Sequence, residues 1–504
     1  MVNYFGLYVG NSTASIAVLK EDGKVDVLAN EAGDRVTATV VAIANDEKVV
    51  GSTAAVTSYA LANTAINYNK RLLDPTVDVD SPSFRPWGTE NNVKIEGRSP
   101  SDFKYLVTVD DPKKPTVCTP TQIATLIFKK LYGIGVGAAP GQKKYSCVIA
   151  VPRHWDATSR RLTADAATEA GWEVVQIINE PASALLAYQI GFENPPANQL
   201  VLVYRLGGLS CDATVMSVDQ GLQIIVSHVR NANLGGQDII DLVTEHLRDE
   251  FKRKYYLDPK DSRKAMWKLR VAATGIVHTL STVPSSSRFI ESVCEGVDFN
   301  PTISQARFEA LLQPLLPKLI APIQEALQEA AVDANQVSKV VLCGGVLKVP
   351  KIRSTVSSLF NCDVCSKLNP DEVLASGAAQ QAGLIGDRRD IGLHVTKVSK
   401  HVPFLAENLK VKINDEEMII EHGVMPITQK KKITLDDTKI VLTAKQERNP
   451  PFKSFAGEGV INCSESGEVE LDLRITTDNE LVAEVVHEKT KELQQLTIEL
   501  VPCS

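Results

Sequence analysis

Nowhere do the 504 residues approach the roughly 20 consecutive apolar positions that a bilayer-crossing helix needs. The start, MVNYFGLYVG, also lacks a positive segment followed by a long apolar run. Neither a membrane span nor a secretory leader is expected. Basic residues are not in surplus: 61 Asp and Glu stand against 54 Lys and Arg, a net charge of −7. A general nucleic-acid binder of this size would be basic, so direct nucleic-acid recognition is not expected of the whole chain. Cysteine is sparse and odd in number, nine scattered along the chain, which fits reduced cytosolic thiols better than a disulfide framework. The one close pair, Cys362 and Cys365, has no second pair nearby. It reads as two buried thiols, with a redox pair or a metal half-site as the alternative.

What is present points to α/β architecture. Residues 4–18 read as strand, turn and strand, and residues 200–218 read the same way, so that Gly10 overlies Gly207 or Gly208 and Tyr8 overlies Arg205. A repeat of this kind predicts two related lobes facing a shared cleft. Helical segments alternate with the strands. DATSRRLTADAATEAG opens on capping residues and stops at Gly171, and PASALLAYQIG begins on Pro181 and ends at Gly191. QDIIDLVTEHLRDEFKRKYY spaces Ile239, Val243, Leu247 and Phe251 by four, an amphipathic helix. CVIAVP and KVVLCGG are apolar throughout, as buried parallel strands are. Residues 76–120 read as connections with short strands. A polar break, GDRRD at 386–390, precedes a region of period-two alternation: NLKVKI, KIVLTA and EVELDLRI. Residues 395–504 are therefore expected to form an antiparallel β-sandwich.

Glycines recur at the ends of the strands: Gly10, Gly207–Gly208, Gly235–Gly236 and Gly344–Gly345. Each pair alone could be a plain turn. Four in one α/β region predict a nucleotide cleft, because glycine lets backbone approach phosphate or ribose without a Cβ in the way.

Several of these segments, together with their order, carry a resemblance. IINEPASALLAY (177–188), LGGQD, NTAINYNKRLL (63–73) and LNPDEVLASGAA (368–379) resemble segments of the heat-shock-protein-70 (DnaK-like) chaperones, in order through residues 4–386. The resemblance implies an actin-like two-lobed nucleotide-binding domain over 1–386, a linker over 387–394 and a truncated substrate-binding β domain over 395–504, with no helical lid before the end at Ser504. Carried onto this sequence, Lys70 and Glu180 match catalytic positions. Gly10, Asn11, Ser12, Arg205, Gly207, Gly208, Ser210, Gly235, Gly236, Ser281, Gly344, Gly345 and Asp371 match positions around the nucleotide. Pro152 and Arg160 match positions that couple nucleotide state to the other domain. From the residues alone, Lys70 could equally be a solvated lysine and Glu180 a helix-start carboxylate. His278 reads as a partly buried polar residue, and no metal ligand is assigned.

Where the family has two metal-side aspartates, this sequence has Tyr8 and Arg205, and Leu209 replaces a turn glycine. Thr274, Val277 and His278 stand where adenosine contacts would be, and Val346 and Lys348 alter the last turn. If all of these line the cleft it becomes more positive, so Arg205 is expected to serve as a bidentate phosphate donor. ATP would then be held without magnesium and hydrolysed weakly or not at all. A surface arginine left after a site has decayed is the plainer alternative. Short members of this family, the heat-shock-70-like-14 type and the fungal ribosome-associated subunit, pair with a zuotin-type J-domain protein and act on nascent chains at the ribosome. The resemblance to them implies a cytosolic co-chaperone of another heat-shock-70 chaperone. The rival expectation is an autonomous ATP-hydrolysing chaperone; a sugar or metabolite kinase has no place for the β region.

Overall fold

The computed structural model describes residues 3–20, 23–44, 47–51, 54, 64–81, 84, 93–108, 115–191, 199–219 and 222–390. Beyond these it describes 404–405, 409–414, 416–420, 423–424, 427–435, 438–446, 454–475, 480–499 and 501–503. The chain divides into two compact units, Met1–Lys400 and His401–Ser504. Among the described residues no helix is long and apolar enough to cross a membrane.

Two sheets of matching topology build the first unit. Strands β1 (Tyr4–Val9), β2 (Thr13–Leu19) and β3 (Val25–Val27) form an antiparallel meander. β4 (Ser146–Val151) and β5 (Glu173–Asn179) add to it in parallel beyond β1. The second sheet repeats the scheme with β6 (Gln199–Leu206), β7 (Cys211–Asp219) and β8 (Leu222–Asn231) as the meander. Here β9 (Lys339–Cys343) and β10 (Asp363–Cys365) are the parallel additions. Even the hairpins close alike: Gly10 N–H donates to Thr13 O at 2.8 Å and Gly207 N–H to Ser210 O at 2.9 Å. The internal repeat is thus real, and its register pairs Gly10 with Gly207.

Helices separate and cover the sheets. α1 (Pro120–Ala138) starts on a capping box in which Thr119 and Gln122 satisfy each other's backbone N–H groups. α2 (Ala157–Glu169) is capped by Asp156, whose carboxylate accepts from Ser159 N–H at 2.8 Å. α3 (Glu180–Ala187) carries Pro181 in its first turn, as expected, but ends before Gly191, where Gln189 takes up the left-handed conformation (φ 53°). α4 (Gly236–Tyr255) and α5 (Arg263–Leu280) bury their apolar faces in the core of the second half, with Val243, Leu247, Phe251, Leu269 and Ile276 at its centre.

The long α6 (Val373–Asp390) lies against β1 and α3, and this contact depends on small residues. A Cβ on Gly6 of β1 would stand 2.2 Å from Ala375 O, and one on Gly377 would stand 1.7 Å from Ser183 O. α6 also runs through the segment at 386–390, where the sequence suggests a polar break; residues 391–394 lie outside those described. A polar stretch and the last turn of a helix look alike in sequence.

In the second unit, five strands form one antiparallel sheet, in the order 416–420, 409–413, 439–446, 454–462 and 501–503. Four more, 427–435, 467–475, 480–487 and 493–499, form another. Alternate residues such as Leu409, Val411, Leu442, Val469, Leu471 and Leu481 share one buried core.

Candidate functional site

The cleft of the first unit is a cavity of about 600 Å³ lined by residues from both repeats. Gly10, Asn11, Ser12, Lys70, Arg205, Gly207, Gly208, Ser210, Gly236, Ser281, Gly344, Gly345 and Asp371 all reach its wall, as do Thr274, Val277 and His278. Volumes of 300–1,000 Å³ are usual for small-molecule sites.

Two of the expected site residues are not among those lining it. Gly235 is a packing residue: a Cβ there would lie 2.7 Å from the carbonyl oxygens of Gly207 and Gly208. Glu180 is buried behind the wall, sealed by Lys70 and Arg205. The turns also present fewer N–H groups than their glycines promised. Those of Gly10 and Gly207 close their own hairpins. Those of Gly236 and Gln237 donate to Gly207 O and Gly208 O at 3.0 and 2.9 Å, which docks the start of α4 on the turn. Gly344 N–H donates to Pro370 O, and this glycine is held at φ 100° with Leu206 O where a Cβ would go. Polar groups of Asn11, Ser12 and Asp371 do remain buried without a partner (Oδ1, Oγ and Oδ1). Asp371 is paired through its other oxygen to Lys348 Nζ at 2.5 Å.

Below the turns lies a buried array of charge. Lys70, on the short helix Asn69–Leu73, places Nζ 2.7 Å from Glu180 Oε1 and 4.6 Å from the centre of the Tyr8 ring. Arg205 Nε is 2.9 Å from Glu180 Oε2, while its Nη2 donates to the Asp212 carboxylate and to Ser210 Oγ. Asp212 faces Arg205 directly across the β6–β7 hairpin. Arg230 donates to Asp74, which also pairs with His154 Nε2 at 2.9 Å. Lys70, Glu180, Arg205, Asp212 and Asp74 are all less than 10% exposed.

Three cations, Lys70, Arg205 and Arg230, therefore meet three carboxylates, Asp74, Glu180 and Asp212. Burial opposes every one of these charges. Against it, Lys70 and Arg205 hold the Glu180 carboxyl below its ordinary range. For Asp74 the opposing partners are His154 and Arg230. Burial likewise works against the Arg205 guanidinium, but Glu180 foremost keeps it above its usual value. Burial raises the Tyr8 hydroxyl, which stays neutral beside them.

This corrects the expectation of a cleft made more positive by Arg205. The guanidinium is neutralised in place: Nη2 bonds Asp212 and Ser210 Oγ, and Nε lies at ion-pair distance from Glu180 without a hydrogen bond, so the side chain is turned to carboxylates and not to a phosphate. The same contacts show that Glu180 and Asp212 do not fit a hydrated, all-oxygen ion such as magnesium held between them: the two carboxylates beside the turn already share Arg205. The guanidinium occupies the electrostatic role that a metal would fill there.

The residues that sequence reasoning missed are Asp74, His154, Asp212, His228 and Arg230. For Asp212 a signal existed. A hairpin closing Gly207 on Ser210 must set residue 206 opposite 211 and 205 opposite 212, which puts a carboxylate against the arginine. His154 sits in the loop between β4 and α2. That loop is held by Arg160, which donates to Trp155 O at 3.0 Å and to Asn179 Oδ1 at 2.6 Å. Cys362 and Cys365 are unbridged and half-buried rather than fully buried, and burial raises both thiols above their usual pKa.

A two-lobed α/β cleft with duplicated glycine hairpins defines a nucleotide-binding class of fold, and comparison with known proteins agrees. A family model described as Hsp70 protein matches residues 4–450. The chain is 34% identical to heat shock 70 kDa protein 14 of Bos taurus, over 75% of this chain and 74% of that one. It is 33% identical to the protein of the same name from Xenopus tropicalis, over 82% and 79%. To the Danio rerio protein it is 34% identical, over 77% and 76%. The chain belongs to the Hsp70 family of chaperones.

Proposed function

We propose that this protein is an Hsp70-type co-chaperone whose cleft holds ATP without magnesium and turns it over weakly or not at all. The observation that carries the reading is the position of Arg205, buried between Glu180 and Asp212. Phosphoryl transfer in nucleotide hydrolases relies on a divalent ion that bridges and neutralises the β and γ oxygens. Here the carboxylates that could orient such an ion are satisfied by a side chain that cannot leave. Lys70 is similarly committed to Glu180 at 2.7 Å, so its ammonium is held away from a free orienting role. Binding itself is supported by the cavity, by its glycine walls and by the unpartnered Asn11, Ser12 and Asp371 oxygens.

With turnover reduced, the useful work passes to partners. In this reading the protein is cytosolic and pairs stably with a zuotin-type J-domain protein. Together they act at the ribosome on nascent or unfolded chains and support a second, catalytically competent Hsp70. The unit from His401 onward supplies the partner surface, a role suited to a β unit whose sheets another polypeptide can extend.

Steady-state hydrolysis by the purified full chain, with and without magnesium, is the direct test. Turnover at background, with any bound ATP retained in EDTA, is the expected result. Robust magnesium-dependent hydrolysis that Lys70→Ala abolishes would instead establish an autonomous ATP-driven chaperone.

A further inference from the structure

Beside the Arg205 network the fold gathers three ligating groups that no spacing in the sequence suggests. His154 comes from the loop after β4, Asp212 from β7 and His228 from β8, and one ligand atom of each lies within 4.8 Å of the others. We propose that His154, Asp212 and His228 form a binding site for a single zinc-like transition-metal ion with two imidazole nitrogens and one carboxylate oxygen as protein ligands.

The hydrogen bonds around the cluster orient it for that purpose. His154 engages the Asp74 carboxylate through Nε2 at 2.9 Å, which leaves Nδ1 buried without a hydrogen-bond partner. His228 engages Thr214 Oγ1 through Nδ1 at 2.9 Å, which leaves Nε2 buried and equally unpartnered. Metal-bound histidines characteristically spend one ring nitrogen on a carboxylate or another acceptor, which fixes the tautomer and aims the second lone pair at the metal. Asp212 divides its oxygens in a parallel way. Oδ2 is held by Arg205, whereas Oδ1 lies 3.8 Å from both His228 Nε2 and Arg230 Nε, too far for a hydrogen bond to either. Arg160 pins the loop that carries His154, so the cluster is set on ordered backbone. A cavity of about 10 Å³ borders Asp212, Thr214 and His228. Tetrahedral zinc with bonds near 2.0–2.1 Å needs its ligand atoms about 3.4 Å apart, so closing on the ion takes a contraction on the order of 1 Å.

Charge selects the ion and its fourth ligand. Arg153, Arg205 and Arg230 already stand close to these ligands, so an entering divalent ion adds positive charge where cations are in surplus. A hard ion that depends on several carboxylates is disfavoured there, while a borderline ion that prefers imidazole is tolerated. The open position should take an anion, and inorganic phosphate is the probe because His154, Asp74 and Arg230 also line the large cleft.

The test uses the full chain, stripped of metal and titrated with Zn²⁺ or Co²⁺, with and without inorganic phosphate. One equivalent of Co²⁺ should bind with the visible spectrum of a tetrahedral nitrogen and oxygen site, without a thiolate charge-transfer band, and phosphate should tighten binding. His228→Gln and His154→Ala should each weaken affinity by tenfold or more. Asp74→Asn, which weakens the acceptor that orients His154 and the partner of Arg230, should lower affinity by about 10–100-fold. Wild-type protein that fails to bind either ion with micromolar affinity would overturn the proposal, whatever the variants do. So would binding that carries a thiolate band and disappears in Cys362→Ser with Cys365→Ser, since that would place the ion on the cysteine pair.

Discussion

Replacing Arg205 separates its role as a built-in counter-ion from that of a decorative cation. In Arg205→Met, among the described residues, Glu180 keeps Lys70 at 2.7 Å as its ion-pair partner, and Asp212 keeps no cation nearer than Arg230 Nε at 3.8 Å. Both carboxylates are buried, and breaking a buried pair by removing one partner costs about 3–5 kcal/mol. The first unit spans Met1–Lys400, so at ~2.1 cal/mol/K per residue its unfolding entropy is roughly 0.8 kcal/mol/K and the expected drop in Tm is about 4–6 °C. Removing the second charge as well, in Arg205→Met with Asp212→Leu, should recover part of that loss, because an apolar pair strands no charge on Asp212. The smaller Arg205→Ala leaves room beside two carboxylates that have each lost a counter-ion, so it should acquire a divalent site. At magnesium near 100 Kd the variant should regain ~2.7 kcal/mol, or about 3 °C, while the wild type shows no such gain. Nucleotide-free differential scanning calorimetry reads all of this. A change of under about 1 °C in Arg205→Met, the size expected of a surface substitution, would refute the counter-ion account. A wild type that gains as much from magnesium as Arg205→Ala would refute it too.

Other expectations follow from the same contacts. Gly377→Ala drives a Cβ to 1.7 Å from Ser183 O, backbone that cannot yield, and should cost about 3 kcal/mol or more in denaturant unfolding. Gly345→Ala meets nothing nearer than 3.9 Å and should leave stability within about 0.5 kcal/mol, so any loss of ATP affinity there reports contact with the cleft wall. Trypsin should cut at Arg388 and Arg389 at the same rate with and without ATP, since both are in the last turn of α6; a nucleotide-dependent change would show coupling to the cleft. Affinity capture from a cytosolic extract should recover a J-domain protein with the full chain but not with a 1–390 truncation. Equal recovery by both would place the interface on the first unit.

How much of this was legible in the sequence depends on how far each feature reaches along the chain. Local signals worked: Asp156 caps the helix it precedes, and the alternation in EVELDLRI lies on a strand, Gly467–Ile475. The repeat was legible because it is written twice in strand-length words, and the hairpins confirm it down to Gly10 and Gly207. The polar stretch at 386–390 misled because composition alone does not tell a loop from the last turn of a helix. The electrostatics of the cleft failed for a different reason. The sign of Arg205 was visible, but most of its surroundings were not: Glu180 reaches it from a separate element, and Asp74 meets Arg230 across 156 positions of sequence. A charge count along the sequence treats each substitution as uncompensated, and so predicts a positive cleft. Folding decides otherwise, because a buried cation is tolerable only beside carboxylates. A buried Asp-to-Arg replacement is therefore best read by asking which retained carboxylate lies opposite in strand register. For the Gly207–Ser210 hairpin that residue is Asp212, the group on which both the missing magnesium role and the proposed imidazole-bound ion converge.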